Sequence, residues 1–125
     1  HEQIRLILPH YIGLQENLAG DNYEEAAENY KNLLHAGVVM KLDFGEVSEI
    51  SDLRENFNLL SNLVIANSSH IESRDELNIA YCPMAFDNAG ASWLQTGKVI
   101  NNPYFGASML RCGTIKREIG IDNGK

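Results

Sequence analysis

The strongest constraint on the fold of this chain is an apolar seam in its middle third. The seam residues alternate in steps of three and four: Ile50, Leu53, Phe57, Leu60 and Val64. Residues at these spacings share one face of an α-helix, whereas a strand would repeat every two residues. We therefore expect an amphipathic helix from Ser48 to the polar segment 67–69, with one face buried against other elements.

Two more helices are expected before this one. Apolar residues recur at helical spacing from Ile4 to Leu18, and Gly20 then provides a stop. Pro9 lies inside that pattern, so the first helix either kinks there or begins near Leu8.

The second helix has a start signal of its own. Asp21 and Glu24 form an Asp-x-x-Glu variant of the capping box, and apolar residues then recur to about Asp43. Because the connections between the three helices are short, antiparallel neighbours are the default packing.

The sequence changes character after residue 70. Segment 77–85 lacks a helical signal and is expected to be a short strand or extended stretch, while 87–90 form a turn and 91–94 return as a hairpin. We therefore predict a mainly α fold, an antiparallel three- to four-helix bundle with a small irregular or β-hairpin C-terminal cap. A length of 125 residues suits a single domain. Its expected parts are the helical bundle in residues 1–70, the cysteine-bearing cap in 71–119 and a frayed tail in 120–125.

Composition and charge exclude several classes of function. The chain is 44% hydrophobic and 22% charged, as in globular proteins, and no stretch approaches the roughly 18 apolar residues of a membrane helix. The net charge of −7 comes from residues 1–69, with 4 Lys/Arg against 11 Asp/Glu, whereas residues 70–125 carry 6 of each. This acidic half argues against binding nucleic acid or anionic membranes.

The chain opens without an initiating Met or a signal peptide, so we expect a mature or trimmed protein.

The most chemically informative residues are both cysteines and two of the three methionines, arranged as Cys82-x-Met84 and Met109-x-x-Cys112. In an extended strand residues i and i+2 point to the same side, and in a helical turn i and i+3 share a face. If the two segments face each other, four sulfur atoms converge, and this set favours Cu(I); Zn(II) would favour His or carboxylate in place of Met. The alternative is a disulfide between Cys82 and Cys112 with both methionines as core filler. The two states are also compatible as redox forms of one site.

The segments that carry these residues resemble a known family. Cys-Pro-Met-Ala-Phe-Asp-Asn-Ala-Gly-Ala-Ser-Trp-Leu-Gln at 82–95 and Asn-Pro-Tyr-Phe-Gly-Ala-Ser-Met-Leu-Arg-Cys-Gly at 102–113 are similar to the signature of a bacterial domain-of-unknown-function family. That family is found in exported proteins, common in Bacteroidetes, and as a C-terminal extension of periplasmic adaptor subunits of copper/silver-type heavy-metal efflux pumps. The matching positions are Cys82, Pro83, Met84, Trp93, Asn102, Pro103, Tyr104, Gly106, Met109, Cys112 and Gly113.

The resemblance implies a periplasmic or cell-envelope location, a link to copper or related metals, and efflux-pump or other envelope proteins as partners. It implies no settled biochemical activity. We expect a protein that does not span the membrane, and a lipid anchor upstream of His1 would be compatible with this location.

Six residues near the cysteines are expected to have structural or shielding roles: Trp93, Asn102, Pro103, Tyr104, Phe105 and Gly106. The three aromatic residues would bury apolar area and hold the cap on the helices, and the other three would shape a turn. In the alternative interpretation, Trp93 shields Cu(I) from water and oxygen or contacts the ion through its ring.

Catalysis finds no support in the sequence, which lacks a Gly-x-Ser-x-Gly elbow, a phosphate-binding glycine loop and a His-Glu-x-x-His motif. His10, His35 and His70 lie outside the cysteine segments and are expected to be surface or packing residues, with His35 and His70 as candidates for an auxiliary ligand. We therefore predict that the protein is not an enzyme.

The expected function is an envelope-located soft-metal (copper-type) binding module in heavy-metal efflux or homeostasis. The alternative is a disulfide-stapled protein-interaction domain with no metal.

Overall fold

The structure is a computed structural model that describes residues 3–71 and 76–119. The long helices and the strands are α1 (Ile4–Ala19), α2 (Tyr23–Ala36), α3 (Ile50–Ala66), β1 (Leu77–Cys82), β2 (Ala91–Thr96) and β3 (Thr114–Ile119). Short helical turns lie at Val38–Met40, Ser68–His70, Ala85–Asn88 and Gly106–Met109. The predicted frayed tail, residues 120–125, lies outside the described residues.

The helices follow the apolar periodicity of the sequence. The seam of α3 is confirmed, because Leu53, Phe57, Leu60 and Val64 are fully buried, although Ile50 is only half-buried. This helix begins at Ile50, two residues after the expected start, and the side chain of Asp52 accepts hydrogen bonds from the backbone N–H groups of residues 48 and 49. These bonds satisfy backbone donors at the start of the helix.

The first helix begins at Ile4, not near Leu8, and it continues through Pro9. The predicted end of the second helix near Asp43 is wrong, because α2 ends at Ala36. Gly37 follows and packs so closely on α1 that a Cβ atom there would lie 2.8 Å from Ile7 Cγ2.

The predicted capping box at the start of α2 is also wrong. The N-cap residue is Asn22, which makes no side-chain capping hydrogen bond. Asp21 instead has left-handed backbone geometry (φ 57°), and its carboxylate binds groups from distant parts of the chain. The Asp21 side chain therefore makes tertiary hydrogen bonds in place of the local capping bond that the spacing predicted.

The second half of the chain forms a three-stranded antiparallel sheet in the order β2-β1-β3. The predicted hairpin is confirmed as β1 and β2, with Cys82 opposite Ala91. β3 pairs with the other edge of β1, with a register shift between Ile79 and Ala80. The predicted mainly α bundle with an irregular or hairpin cap is therefore wrong, because the molecule has a mixed α/β fold.

The sheet occupies the place where a bundle would need another helix. α1 packs closely along α2, whereas α3 makes most of its tertiary contacts with β2 and few with α1. A single cluster of buried side chains includes residues from the helices and the sheet, and its largest fully buried members are Trp93, Tyr11 and Phe57. Within the described residues, none of the helices combines the length and apolar character needed to cross a membrane.

Candidate functional site

The structure brings the two cysteines into contact at one end of the sheet. Cys82 is the last residue of β1, and Cys112 lies two residues before β3, where Tyr81 pairs with Thr114. The two Sγ atoms are 2.9 Å apart, and both cysteines carry free thiols. Cys82 is fully buried, whereas Cys112 is partly exposed. Pairing of β1 with β3 thus joins residues that are 30 positions apart in the chain.

The surroundings of Cys112 favour its protonated form. Its pKa is raised above the ordinary cysteine value, chiefly by the hydrogen bond with the Cys82 thiol and then by desolvation. The backbone N–H of Met84 acts in the opposite direction and lowers the pKa of Cys112, but the two larger causes outweigh it. The surroundings as a whole therefore disfavour the thiolate, which is the form that binds metals and attacks disulfides.

The two methionines flank this pair in different ways. The expected strand geometry for Cys82 and Met84 is wrong, because β1 ends at Cys82 and Met84 has helical backbone angles (φ −91°, ψ −11°). Met84 is 46% exposed. Met109 is partly exposed, and a hydrogen bond of 3.1 Å from the Cys112 N–H to the Met109 carbonyl closes a turn between them. Of the four predicted sulfur ligands, Cys82 and Cys112 are in direct contact with each other.

Asn102 organises the loop that delivers Cys112. This side chain is fully buried, and its Nδ2 donates to the Cys112 carbonyl at 2.8 Å. Its Oδ1 accepts hydrogen bonds from the backbone N–H groups of Tyr104 and Phe105 at 2.8 and 3.1 Å. One amide group therefore holds both ends of the segment 102–112, which extends the expected role of Asn102 in shaping the turn.

A second set of contacts ties the same loop to the helices, and we call it the Arg54 clamp, formed by Arg54 and Asp21 around residues 103–107. The guanidinium of Arg54, on α3, donates to the Pro103 carbonyl at 2.8 Å and pairs with Asp21 at 2.8 Å. Asp21 also accepts a hydrogen bond from the Ala107 N–H at 2.8 Å. Gly106 has φ +60°, and a Cβ atom there would overlap the Asp21 carboxylate.

Sequence reasoning missed both charged members of the clamp. Asp21 resembled a helix cap, and Arg54 occupies an ordinary polar position of an amphipathic helix. No local pattern pairs these two residues with a glycine more than 50 positions away from either, so the sequence contains no signal for the contact.

Aromatic rings cover the cysteine end of the sheet. Trp93 is fully buried, and its ring packs edge-on against Tyr104 with centroids 5.8 Å apart. A Cβ atom on Gly113 would lie only 3.1 Å from the indole, so the residue after Cys112 rests directly on Trp93. Tyr104 also contacts Phe57 of α3 at 5.8 Å, which joins this aromatic layer to the helices, and Phe105 packs half-buried at the rim of the core.

The turn after Cys82 has unusual backbone geometry. Phe86, Asp87 and Asn88 are consecutive non-glycine residues with φ between 53° and 68°, and Gly90 follows at φ 84°. Each such residue is disfavoured by contact between its Cβ and backbone atoms. The turn leaves Met84 and Phe86 exposed beside the cysteine pair, although the edge of the Phe86 ring contacts Tyr104 at 5.3 Å.

The histidines contribute nothing to this site that the structure shows. His10 lies on α1 and His35 near the end of α2, and the side chain of His70 is outside the described part of the molecule. Across residues 3–71 and 76–119, His, Cys, Asp and Glu side chains form no group of three or more that could hold a metal ion. A metal at the cysteine pair would therefore need thioether or other ligands besides these types.

Comparison with known proteins adds no assignment. No family model matches the chain, and no curated protein or solved structure is significantly similar to it.

Proposed function

We propose that this protein binds a soft metal ion of the Cu(I) type through Cys82 and Cys112, with thioether sulfur from Met84 or Met109 completing the ligand set. The single observation that carries the proposal is the 2.9 Å contact between two free cysteine sulfurs. Thiolate and thioether are soft ligands, and this set selects Cu(I) over Zn(II), which favours nitrogen or carboxylate partners as well. From the resemblance of the sequence segments alone, we propose further that the role is metal buffering or delivery in the cell envelope.

The surroundings of the pair suit such a site. With metal–sulfur bonds of about 2.3 Å, two sulfurs bound to one ion at a tetrahedral angle lie about 3.8 Å apart, so the thiols must separate somewhat on binding. Cys112 is partly exposed and lies in a loop, and it can move outward while buried Cys82 stays fixed in β1. The exposed Met84 side chain can turn towards the ion from the solvent side, and Trp93 and Tyr104 exclude water from the other side.

Metal affinity should depend on pH in a defined direction. Binding requires both thiols to lose their protons. The Cys82 hydrogen bond and desolvation raise the pKa of Cys112. The metal must therefore displace a proton from Cys112 up to a higher pH than it would from an ordinary cysteine. The apparent affinity should therefore rise with pH, by up to about tenfold per pH unit for each proton displaced, and competition titrations at several pH values would measure it.

A competition titration tests the proposal itself. Reduced protein would be titrated with Cu(I) against a chromophoric chelator, with Met84→Leu, Met109→Leu and the double variant beside the wild type. Leu preserves apolar volume and removes the thioether sulfur. Met40→Leu is the matched control, since Met40 lies in the turn after α2. We expect one bound ion, weakened strongly by either Cys→Ser change and by the double Met change, and unaffected at Met40. Cu(I) affinity unchanged by both Cys→Ser substitutions would refute the proposal.

The same sulfur contact favours a second candidate, a disulfide-stapled interaction domain that binds no metal. A disulfide bond is about 2.05 Å long, so the two sulfurs need to approach by less than about 1 Å to form one. Counting free thiols in protein purified without reductant separates the two candidates. Protein with no free thiols, and no Cu(I) uptake after mild reduction, would establish the staple.

A further inference from the structure

The two sulfur atoms of the pair differ in their access to solvent. Cys82 is 0% exposed at the end of the central strand, whereas Cys112 is partly exposed in the loop before β3. The surface next to them is formed by exposed Pro83, Met84 and Phe86. A small molecule that approaches from solvent can therefore reach one thiol of the pair and not the other.

We propose that the pair is an ordered thiol–disulfide exchange site, in which Cys112 attacks a small external disulfide and Cys82 then resolves the mixed disulfide. This activity uses the same two thiols as the proposed function but requires neither bound metal nor a partner protein, so a test on metal-free protein can fail without refuting metal binding. The substrate class is a low-molecular-weight disulfide such as oxidised glutathione.

The exchange balances in two steps. The Cys112 thiolate attacks one sulfur of the external disulfide, a Cys112–S–S–R bond forms, and one R–S⁻ leaves. Cys82 then loses its proton to solvent and attacks Cys112 Sγ, which forms the Cys82–Cys112 disulfide and releases the second R–S⁻. The two protein thiols are oxidised, one external disulfide is reduced to two thiols, and the two thiol protons end on the leaving thiolates. In the reverse direction, two external thiols reduce the protein disulfide.

The geometry favours this order over the reverse. Cys112 is partly exposed whereas Cys82 is fully buried, so an external disulfide can reach the Cys112 sulfur first. Cys82 Sγ lies 2.9 Å from Cys112 Sγ, so in the mixed disulfide the resolving thiol is next to the sulfur that it must attack.

The test uses metal-free reduced protein and oxidised glutathione, with the products followed by intact mass and peptide mapping. We expect Cys82→Ser to accumulate a stable mixed disulfide at residue 112, and Cys112→Ser to react at least about tenfold more slowly. The wild type should pass through a mixed disulfide at Cys112 alone and end with an internal disulfide. Both variants should react at similar rates in denaturant, which controls for intrinsic thiol reactivity.

Equal rates of the two variants in the folded state, or trapping of wild-type mixed disulfide at Cys82, would overturn the proposal. Absence of any reaction in the folded wild type, with normal reaction in denaturant, would do the same. Circular dichroism and the emission of buried Trp93 report whether each variant is folded. If Cys82→Ser does not fold, peptide mapping of the transient wild-type product still decides the order of attack.

Discussion

At the scale of single residues, the buried side chain of Asn102 makes hydrogen bonds to the loop backbone that a helix or a sheet would otherwise supply. Three backbone groups of the loop, from Cys112, Tyr104 and Phe105, have their hydrogen bonds satisfied by its amide. An unpaired polar group in the interior costs about 1–3 kcal/mol. The position of the Cys112 backbone therefore depends directly on this amide.

Replacing Asn102 by Ala should lower the free energy of unfolding by about 2–4 kcal/mol, because one buried and two partly buried backbone groups lose their partner. Urea denaturation would measure the loss. The neighbouring Asn101→Ala is the matched control, since the Asn101 side chain accepts a hydrogen bond from exposed Arg111 and should cost less than about 1 kcal/mol. Equal losses in the two variants would show that the buried amide is not the organiser of the loop.

Gly106→Ala tests the close approach of the loop to the Arg54 clamp. The left-handed backbone alone costs a non-glycine residue roughly 1–2 kcal/mol, and the added Cβ would also lie 2.7 Å from an Arg54 nitrogen. We expect a total loss of at least about 3 kcal/mol, and Gly97→Ala provides the control. Gly97 has φ +71° and nothing within 4 Å of its Cβ position, so Gly97→Ala should lose only the stability that the left-handed backbone costs. Thermal or urea unfolding of both variants should give clearly different losses.

At this scale the sequence allows part of the site to be predicted. A turn at Asn102-Pro103 and Gly106 follows from the known preferences of these residue types. The contacts of this turn with Asp21 and Arg54 could not be predicted. These residues lie 85 and 52 positions before Gly106, and no sequence pattern near them indicates the contact. Likewise, the spacing of Met84 from Cys82 suggested strand geometry, and only the structure shows that the strand ends between them.

At the level of elements, the Arg54 clamp joins α3, the α1–α2 connection and the loop before Cys112. Arg54 also donates to the Leu18 carbonyl near the end of α1 at 2.8 Å, so one guanidinium links three separate segments. The forked donor geometry of Arg suits such multiple acceptors, whereas the single ammonium of Lys does not.

Asp21 should make part of the stability depend on pH. Its pKa is lowered, first by the Ala107 N–H and then by Arg54, so the folded state binds the proton more weakly than the unfolded chain. The resulting stability is fully present above the ordinary value of 3.8 and is lost as pH falls through the lower folded pKa. Asp21→Asn should cost on the order of 1 kcal/mol at neutral pH, since this carboxylate is partly exposed, and the difference from wild type should shrink in acid. Urea unfolding at pH 7 and in acid, with Glu28→Gln as a control for loss of one negative charge, would test this.

The elements themselves were predictable in proportion to how much of each is buried. The α3 seam is strict because four of its five residues are fully buried. β3 has one fully buried residue, Ile119, and exposed charged residues such as Lys116 and Glu118, so no alternation of apolar and polar residues marks it. An edge strand needs only its backbone to pair, so the sequence contains no signal for a third strand beside the predicted hairpin.

For the whole molecule, the redox state of the pair should set global stability. A bond between Cys82 and Cys112 would close a loop of 30 residues and stabilise the fold by about 3–4 kcal/mol through the entropy of the unfolded chain. Urea unfolding of oxidised and reduced protein would measure the difference. The double Cys82→Ser, Cys112→Ser variant is the control, and its stability should not change with reductant. A difference below about 1 kcal/mol in the wild type would mean that strain in the folded state cancels the gain.

The place of the cysteines in the sheet also bears on how a newly made chain matures. β1 precedes the other strands in the chain yet lies between them, so one of its edges stays open until β3 arrives. Tyr81 meets Thr114 only in the native register, and a slip of one residue would turn every β3 side chain to the opposite face. The sulfur contact thus reports that the last strand has docked correctly. In a chain that lacks β3, or in which β3 pairs out of register, the two thiols remain apart, and each can react separately with other molecules.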